Sequence, residues 1–456
     1  MYGRIIVYFV TVFGLAGCIA HTQYRTDYQP CSVDAGVASC KRSALQVHPD
    51  GRGSTFLLSF IEFDDQGQLW DRGQMRAVLT AISEATATRE LLIVVFIHGW
   101  KHSAAPEDGN VETFRAALAS LSATDAEIAA RSGRQPRRVV GVYLGWRGGS
   151  VSLPGIKELT FWDRKATAQK VGHGGMTEVL SRLELIKQTK NEMEGDIDTR
   201  LVVVGHSFGG AVLYTALGQL LANRFVHTTG PTGVQSTVPG YGDLVVLINP
   251  AFEALLFSSL SDMSAERGLY FEHQLPVVAV LTSEADDATR LAFPIGRRLS
   301  TIFEKHRDMT RRNATTNSSE MIDGGLADVT AVGHFVPYRT HRLYPSDAQT
   351  RAEVAPVAPQ RAARIFLEAS RRWVNDKPGA DIDFAGLILE RTLSSAGRNP
   401  YIVAAVDEEI INDHNDIDDP RLIHFVEQLI LISTQSSGQL QRTIESKGDV
   451  ATGSTP

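Results

Sequence analysis

Apolar residues along this chain gather into short, near-continuous runs. "LLIVVFIHGW" (91–100), "RVVGVYLGW" (138–146), "LVVVGHSFGG" (201–210), "LVVLINP" (244–250), "PVVAVLTS" (276–283) and "PYIVAAV" (400–406) are rich in β-branched residues and lack polar alternation. Such runs predict strands buried on both faces, and hence a parallel sheet covered by helices. "FLLSFIEFDD", beginning at Phe56, alternates well enough to add a further strand. Segments of helical period lie between the runs: "WDRGQMRAVLTAISEA", "NVETFRAALASLS", "GGMTEVLSRLELIKQ", "GGAVLYTALGQLLANRF" and "APQRAARIFLEASRRW". Strand and helix alternating this often predict an α/β fold with a doubly wound, mostly parallel sheet.

The pattern also sets boundaries. Residues 56–433 read as one domain, long for a single sheet, so 147–175 and the stretch from Arg290 to Asn399 are expected to be insertions, the second falling before the last strand. Residues 19–55 are polar, with scattered Gly and Pro and no sustained period, and read as a tether. Residues 434–456 are rich in Gly, Ser and Thr and read as a disordered tail.

The N-terminus differs from all of this. "MYGRIIVYFVTVFGLAGC" places one Arg before an apolar run, Ile5 to Gly17, too short to span a bilayer, which takes about 20 residues. It reads as a secretory signal, residues 1–18. Leu15-Ala16-Gly17-Cys18 resembles the bacterial lipoprotein box, which implies that Cys18 becomes the lipid-bearing first residue of the mature chain. Ile19 in place of Asp, by the same resemblance, points to the outer membrane, with the protein facing the periplasm. In that compartment Cys31 and Cys40 are placed either to close a small disulfide or to remain free thiols.

Composition narrows the partners. With 43% apolar and 21% charged residues the chain is that of a globular protein, and its net charge of -7 gives no basic footprint for nucleic acid. The three cysteines form no C-x-x-C pair and the thirteen histidines no H-E-x-x-H arrangement, so no metal site is expected.

The candidate chemistry centres on Gly205-His206-Ser207-Phe208-Gly209. A strand leads into it and a helix with small residues follows, the setting in which a Ser on a strained strand-to-helix turn becomes a nucleophile and glycines keep side chains apart. An acyl-transfer serine needs donors for the developing oxyanion. The N–H after the nucleophile belongs to Phe208, and His98-Gly99-Trp100, at the end of an earlier strand, offers the N–H of Trp100. His98 reads as an orienting group that bonds loop carbonyls.

On these motifs, from Phe56 to Ser433, the chain resembles the α/β-hydrolases of the esterase and lipase superfamily and is similar to bacterial lipoprotein hydrolases. The resemblance implies triad members in the order Ser, acid, His, the acid after a late strand and the His after the last one. "PVVAVLTSEADDATR" ends a late strand in a carboxylate cluster, and the small-x-x-Asp pattern of Ser283 to Asp286 selects Asp286, with Asp287 and Glu284 as rivals. Three histidines remain for the base: His334, with the Gly-His pairing often met in such enzymes, His341 and His414. His414 follows the strand "PYIVAAV" and precedes a final amphipathic helix opened by Asp418, Asp419 and Pro420, so the order argument favours it.

The expectation is a lipid-anchored serine hydrolase acting on small-molecule or lipid esters without a cofactor. The same triad serves peptidases, thioesterases and acyltransferases, and a non-catalytic envelope protein that keeps the fold for binding or scaffolding is the alternative.

Overall fold

The computed structural model describes residues 21–435 apart from 34–36, 52, 150–159, 194–197, 230–234, 302, 347–356, 376–380 and 385. The expected signal peptide, Cys18 and the tail beyond Gln435 lie outside the described residues.

Among the described residues, twelve strands build one sheet: β1 (Asp27–Ser32), β2 (Ser43–Pro49), β3 (Thr55–Glu62), β4 (Leu91–Ile97), β5 (Arg138–Gly145), β6 (Arg200–His206), β7 (Leu244–Ile248) and β8 (Val278–Ser283), then β11 (His341–Pro345), β12 (Ile382–Asp383), β13 (Leu387–Arg391) and β14 (Tyr401–Val406). β9 (Met309–Asn313) and β10 (Ser318–Ile322) form a separate antiparallel hairpin. The order across the sheet is β1-β2-β3-β5-β4-β6-β7-β8-β14-β11-β13-β12. Pairing is parallel from β3 through to β11 and between β1 and β2, and antiparallel at β2–β3 and at β11–β13–β12.

The helices are α1 (Arg72–Thr86), α2 (Gly109–Ser132), α3 (Thr160–His173), α4 (Gly175–Met193), α5 (Phe208–Val226), α6 (Ala254–Arg267), α7 (Phe293–Ser300), α8 (Gly324–Val329), α9 (Pro359–Asn375) and α10 (Pro420–Ser433). They cover both faces. In β4, Ile93, Val95 and Ile97 join one apolar core with α1, α3, α4, α5 and α6, while Leu92, Val94 and Phe96 join a second core with α2, α9 and α10. Burial on both faces explains the unbroken apolar runs of the central strands.

Two expectations about boundaries are corrected. Residues 19–55 are not a plain tether, because β1 and β2 extend the sheet and the Cys31–Cys40 disulfide links β1 to the turn before β2. Arg25 anchors this segment from inside: its guanidinium donates to the carbonyls of Ala104 (2.9 Å) and Lys41 (2.6 Å) and lies 4.0 Å from the Phe60 ring, while its N–H donates to Glu62 Oε1 (2.8 Å). The segment is polar because its groups bond inward, so no apolar period announces it. The stretch from Arg290 to Asn399 is likewise only partly an insertion, since β11, β12 and β13 continue the sheet and α9 packs into the second core. Its strands are two to five residues long, too short to show a period.

α2 and α10 are tied at their far ends by a buried charge. Asp125, with no exposed surface, accepts from the guanidiniums of Arg134 (2.6 Å) and Arg137 (2.7 Å), and Arg137 Nη1 reaches the carbonyl of Thr434 just beyond α10 (3.1 Å). Burial pushes the Asp125 carboxyl up, but the two guanidiniums outweigh it and hold it below the usual carboxylate range. Asp125→Ala should therefore cost about 3–5 kcal/mol of unfolding free energy, because it strands buried cations. A depressed carboxylate contributes above the unfolded Asp pKa of about 4, and the contribution is lost as pH falls through the lower folded value. Urea unfolding at neutral pH checks this, and a loss below about 1 kcal/mol, the surface-pair range, would contradict it.

Candidate active site

Ser207 stands between β6 and α5 with φ 54° and ψ -120°, a conformation that costs a non-glycine residue on the order of 1–3 kcal/mol. Its backbone is held on three sides: its N–H donates to the carbonyl of Ile248 (2.9 Å), and its carbonyl accepts from Ala211 (3.2 Å) and Ala251 (3.1 Å). The flanking glycines are a matter of space. A Cβ on Gly209 would lie 2.1 Å from the carbonyl oxygen of Ile97, and one on Gly99 would lie 2.7 Å from Ser207 Cβ. The second contact places the His98-Gly99-Trp100 loop directly against the serine.

The structure brings Ser207, His414 and Asp286 together. Ser207 Oγ is 2.6 Å from His414 Nε2, and His414 Nδ1 is 2.8 Å from Asp286 Oδ2. All three are buried, with relative exposures of 2%, 4% and 0%. Asp286 accepts two further bonds from Thr289, one from its N–H (3.0 Å) and one from its hydroxyl. Burial alone would raise the Asp286 carboxyl; the bonds from His414 and Thr289 overcome that and leave it below the usual range, and so ionised. Asp287 and Glu284 face other partners, Arg290 at 2.6 Å and Arg339 at 3.7 Å.

Each loop is fixed by groups the sequence reading did not assign. The carbonyl of His414 accepts from both His206 Nε2 (3.0 Å) and Asn249 Nδ2 (3.0 Å). Asn249, at φ 44° after β7, also accepts from Ser283 N–H (2.9 Å), so one side chain joins the loops after β7, β8 and β14. Its legible signal was an Asn-Pro step at a strand end, a residue that tolerates positive φ. Ser283 Oγ donates to the carbonyl of Ile411 (2.5 Å) and accepts from Ala285 N–H (3.0 Å), which gives the small residue of the small-x-x-Asp pattern a physical task. Burial, reinforced by the neighbouring His414, pushes His206 down to about 3, so it is neutral and donates through Nε2.

His98 is fully buried, stacked on Trp146 and Tyr143, and burial pushes it down to about 4. Trp146 N–H donates to its Nε2 (3.0 Å), which leaves Nδ1 to donate to the Gly99 carbonyl (3.0 Å). The peptide that follows carries the Trp100 N–H, so His98 sets its plane. Phe208 is the first residue of α5, where backbone N–H groups point out of the helix end. Tyr143 and Trp146 thus pack around His98.

The other two candidate bases are elsewhere. His341 begins β11, buried beside β14, with its ring on Thr340 Oγ1 (2.8 Å). His334 lies behind the acid, its Nε2 2.9 Å from Thr289 Oγ1. An apolar cavity of about 90 Å³ lies between the sheet, α2 and α10; Val204, Ile248 and Ile417 line it, and none of Ser207, Asp286 and His414 does. Among the described residues, Glu304, His306 and Asp328 bring ligand atoms within 4.8 Å of one another, but both oxygens of Asp328 are engaged, by Arg297 (2.7 Å) and His306 (3.1 Å).

No protein-family model matches the chain, and no curated protein sequence matches it either. Among solved structures, it is similar to the phospholipase PlaB from Legionella pneumophila in complex with thio-NAD, at a TM-score of 0.26 and 10% identity, over 79% of this chain and 62% of that one. The chain thus spans less than two thirds of this neighbour, and a likeness this weak carries no argument about fold or activity.

Proposed function

We propose that this chain is a serine hydrolase on an α/β-hydrolase fold, esterase- or lipase-like, that cleaves carboxylic esters through an acyl-enzyme. The observation that carries the reading is the unbroken hydrogen-bonded chain Ser207–His414–Asp286 at the ends of three strands, with the serine on a strained turn at a helix N-terminus. His414 Nε2 takes the Ser207 proton as Oγ attacks the ester carbonyl, and Asp286 orients and stabilises the imidazolium. The oxyanion forms against the N–H groups of Phe208 and Trp100, helped by the positive end of the α5 dipole. His414 then returns the proton to the leaving alkoxide, and water repeats the cycle on the acyl-enzyme.

The same reading places the protein in a bacterial envelope, anchored through a lipid on Cys18. The Leu15-to-Cys18 sequence supports this, as does the Cys31–Cys40 disulfide, which suits an oxidising compartment.

Three measurements test the proposal. A fluorophosphonate probe should label the wild-type protein and not Ser207→Ala; equal labelling of both would mean that another residue reacts, and no labelling of either would favour the binding or scaffolding alternative. His414→Ala should lower ester turnover by roughly a thousand-fold or more, since loss of a triad base typically costs several powers of ten. His341→Ala should leave turnover within about ten-fold, and the reverse ranking would move the base. Cys18→Ser should abolish incorporation of labelled palmitate, and retained label would sink the anchor.

A further inference from the structure

His334 is a half-buried histidine that the proposed mechanism leaves unused, and its position sets what it can do. Resting on the serine-hydrolase reading, we propose that Thr289 and His334 continue the catalytic hydrogen-bond chain behind Asp286, and that His334 is a positioning residue that holds the acid through the Thr289 hydroxyl.

The protons available to this row fix its direction. Asp286 is an ionised carboxylate and can only accept. The single hydroxyl proton of Thr289 therefore goes to Asp286 Oδ2, and the Thr289 oxygen has only lone pairs to offer His334. His334 must then carry its proton on Nε2 and donate it to Thr289 Oγ1 across 2.9 Å. A Thr hydroxyl otherwise rotates to suit its surroundings. With one lone pair taken by His334, its proton is directed at the oxygen that also receives His414 Nδ1–H. Four groups are thereby held in line: Ser207, His414, Asp286 and Thr289, with His334 closing the row.

The charged groups facing this row come from each packed segment: Arg290 and Asp287 on the turn after the acid, Arg339 beyond His334, Glu284 at the end of β8, and His414. Burial holds His334 near 4, with Asp286 opposing and Arg339 and Arg290 adding to the shift, so it is a neutral donor at ordinary pH.

Breaking the row has a signed consequence. Asp286 loses a donor, keeps more charge for the imidazolium, and the acid limb of the kcat/KM profile moves to higher pH. Its looser orientation lowers kcat without altering KM.

Thr289→Val and His334→Leu should each lose about three- to ten-fold in kcat, the range of one hydrogen bond, with the acid limb displaced upward in Thr289→Val. Thr289→Ser and His334→Gln, which keep the hydroxyl and an Nε2–H donor, should stay within about two-fold of wild type on the same reasoning. Equal impairment of His334→Gln and His334→Leu, or an unmoved acid limb in Thr289→Val, would overturn the proposal. If His334→Leu fails to fold, Thr289→Val reads the same link at nearly constant volume. The His414 ring titration followed by NMR needs no turnover. An unlabelled wild-type protein would therefore defeat the hydrolase reading, while the titration in Thr289→Val still decides whether this link exists.

Discussion

Ser207 and His414 meet at 2.6 Å because four parallel strands end level with one another. His206 at the end of β6 pairs with Ile248 at the end of β7, Ile248 with Leu281 of β8, and Ser283 of β8 with Val406 of β14. A slip of one residue at any of these pairings would move a loop by about 3.3 Å and turn its side chains to the other face. Every distance in the proposed triad inherits that register. Asn249 reinforces it where the strands run out, since its side chain bonds the backbone of both the β8 end and the loop after β14.

Around this row the electrostatics follow from burial. Desolvation drives His98, His206 and His334 toward their neutral forms, so that each offers one donor and one acceptor in a set tautomer. Asp286 is fully buried but keeps its charge, because three donors converge on it. One anion among neutral imidazoles gives the site a single direction of polarity, from the serine toward the acid. The strain at Ser207 is sustained by the backbone bonds of Ile248, Ala211 and Ala251 rather than by its own side chain.

At its edges the sheet is built by other means. β1 and β2 are secured by a disulfide and a buried arginine, and β11 to β13 are short strands laid beside β14. The first edge relies on polar contacts with distant segments, whereas Leu343, Ile382, Leu387 and Leu389 of the second enter one of the two apolar cores that the long central strands and the helices on either side share.

The central architecture was legible in the sequence because a strand buried on both faces leaves a run such as "LLIVVFI", and a serine on a strand-to-helix turn needs the glycines that flank it. The order of elements was enough to prefer His414 over His334, since only His414 follows the last strand. What one-dimensional order does not carry is the pairing of polar atoms far apart in the chain. β1 gave no period because most of its side chains are exposed, and β2 because buried Ser43, Gln46 and His48 stand among its apolar positions, while the bond that anchors the segment, Arg25 to Glu62, spans 37 residues. Nothing local marks Thr289, His206 or Asn249 as partners of Asp286 and the His414 carbonyl; folding sets them there. Periodicity and turn chemistry are local and leave their mark on neighbouring residues; hydrogen bonds between loops depend on strand register, which only the tertiary structure decides.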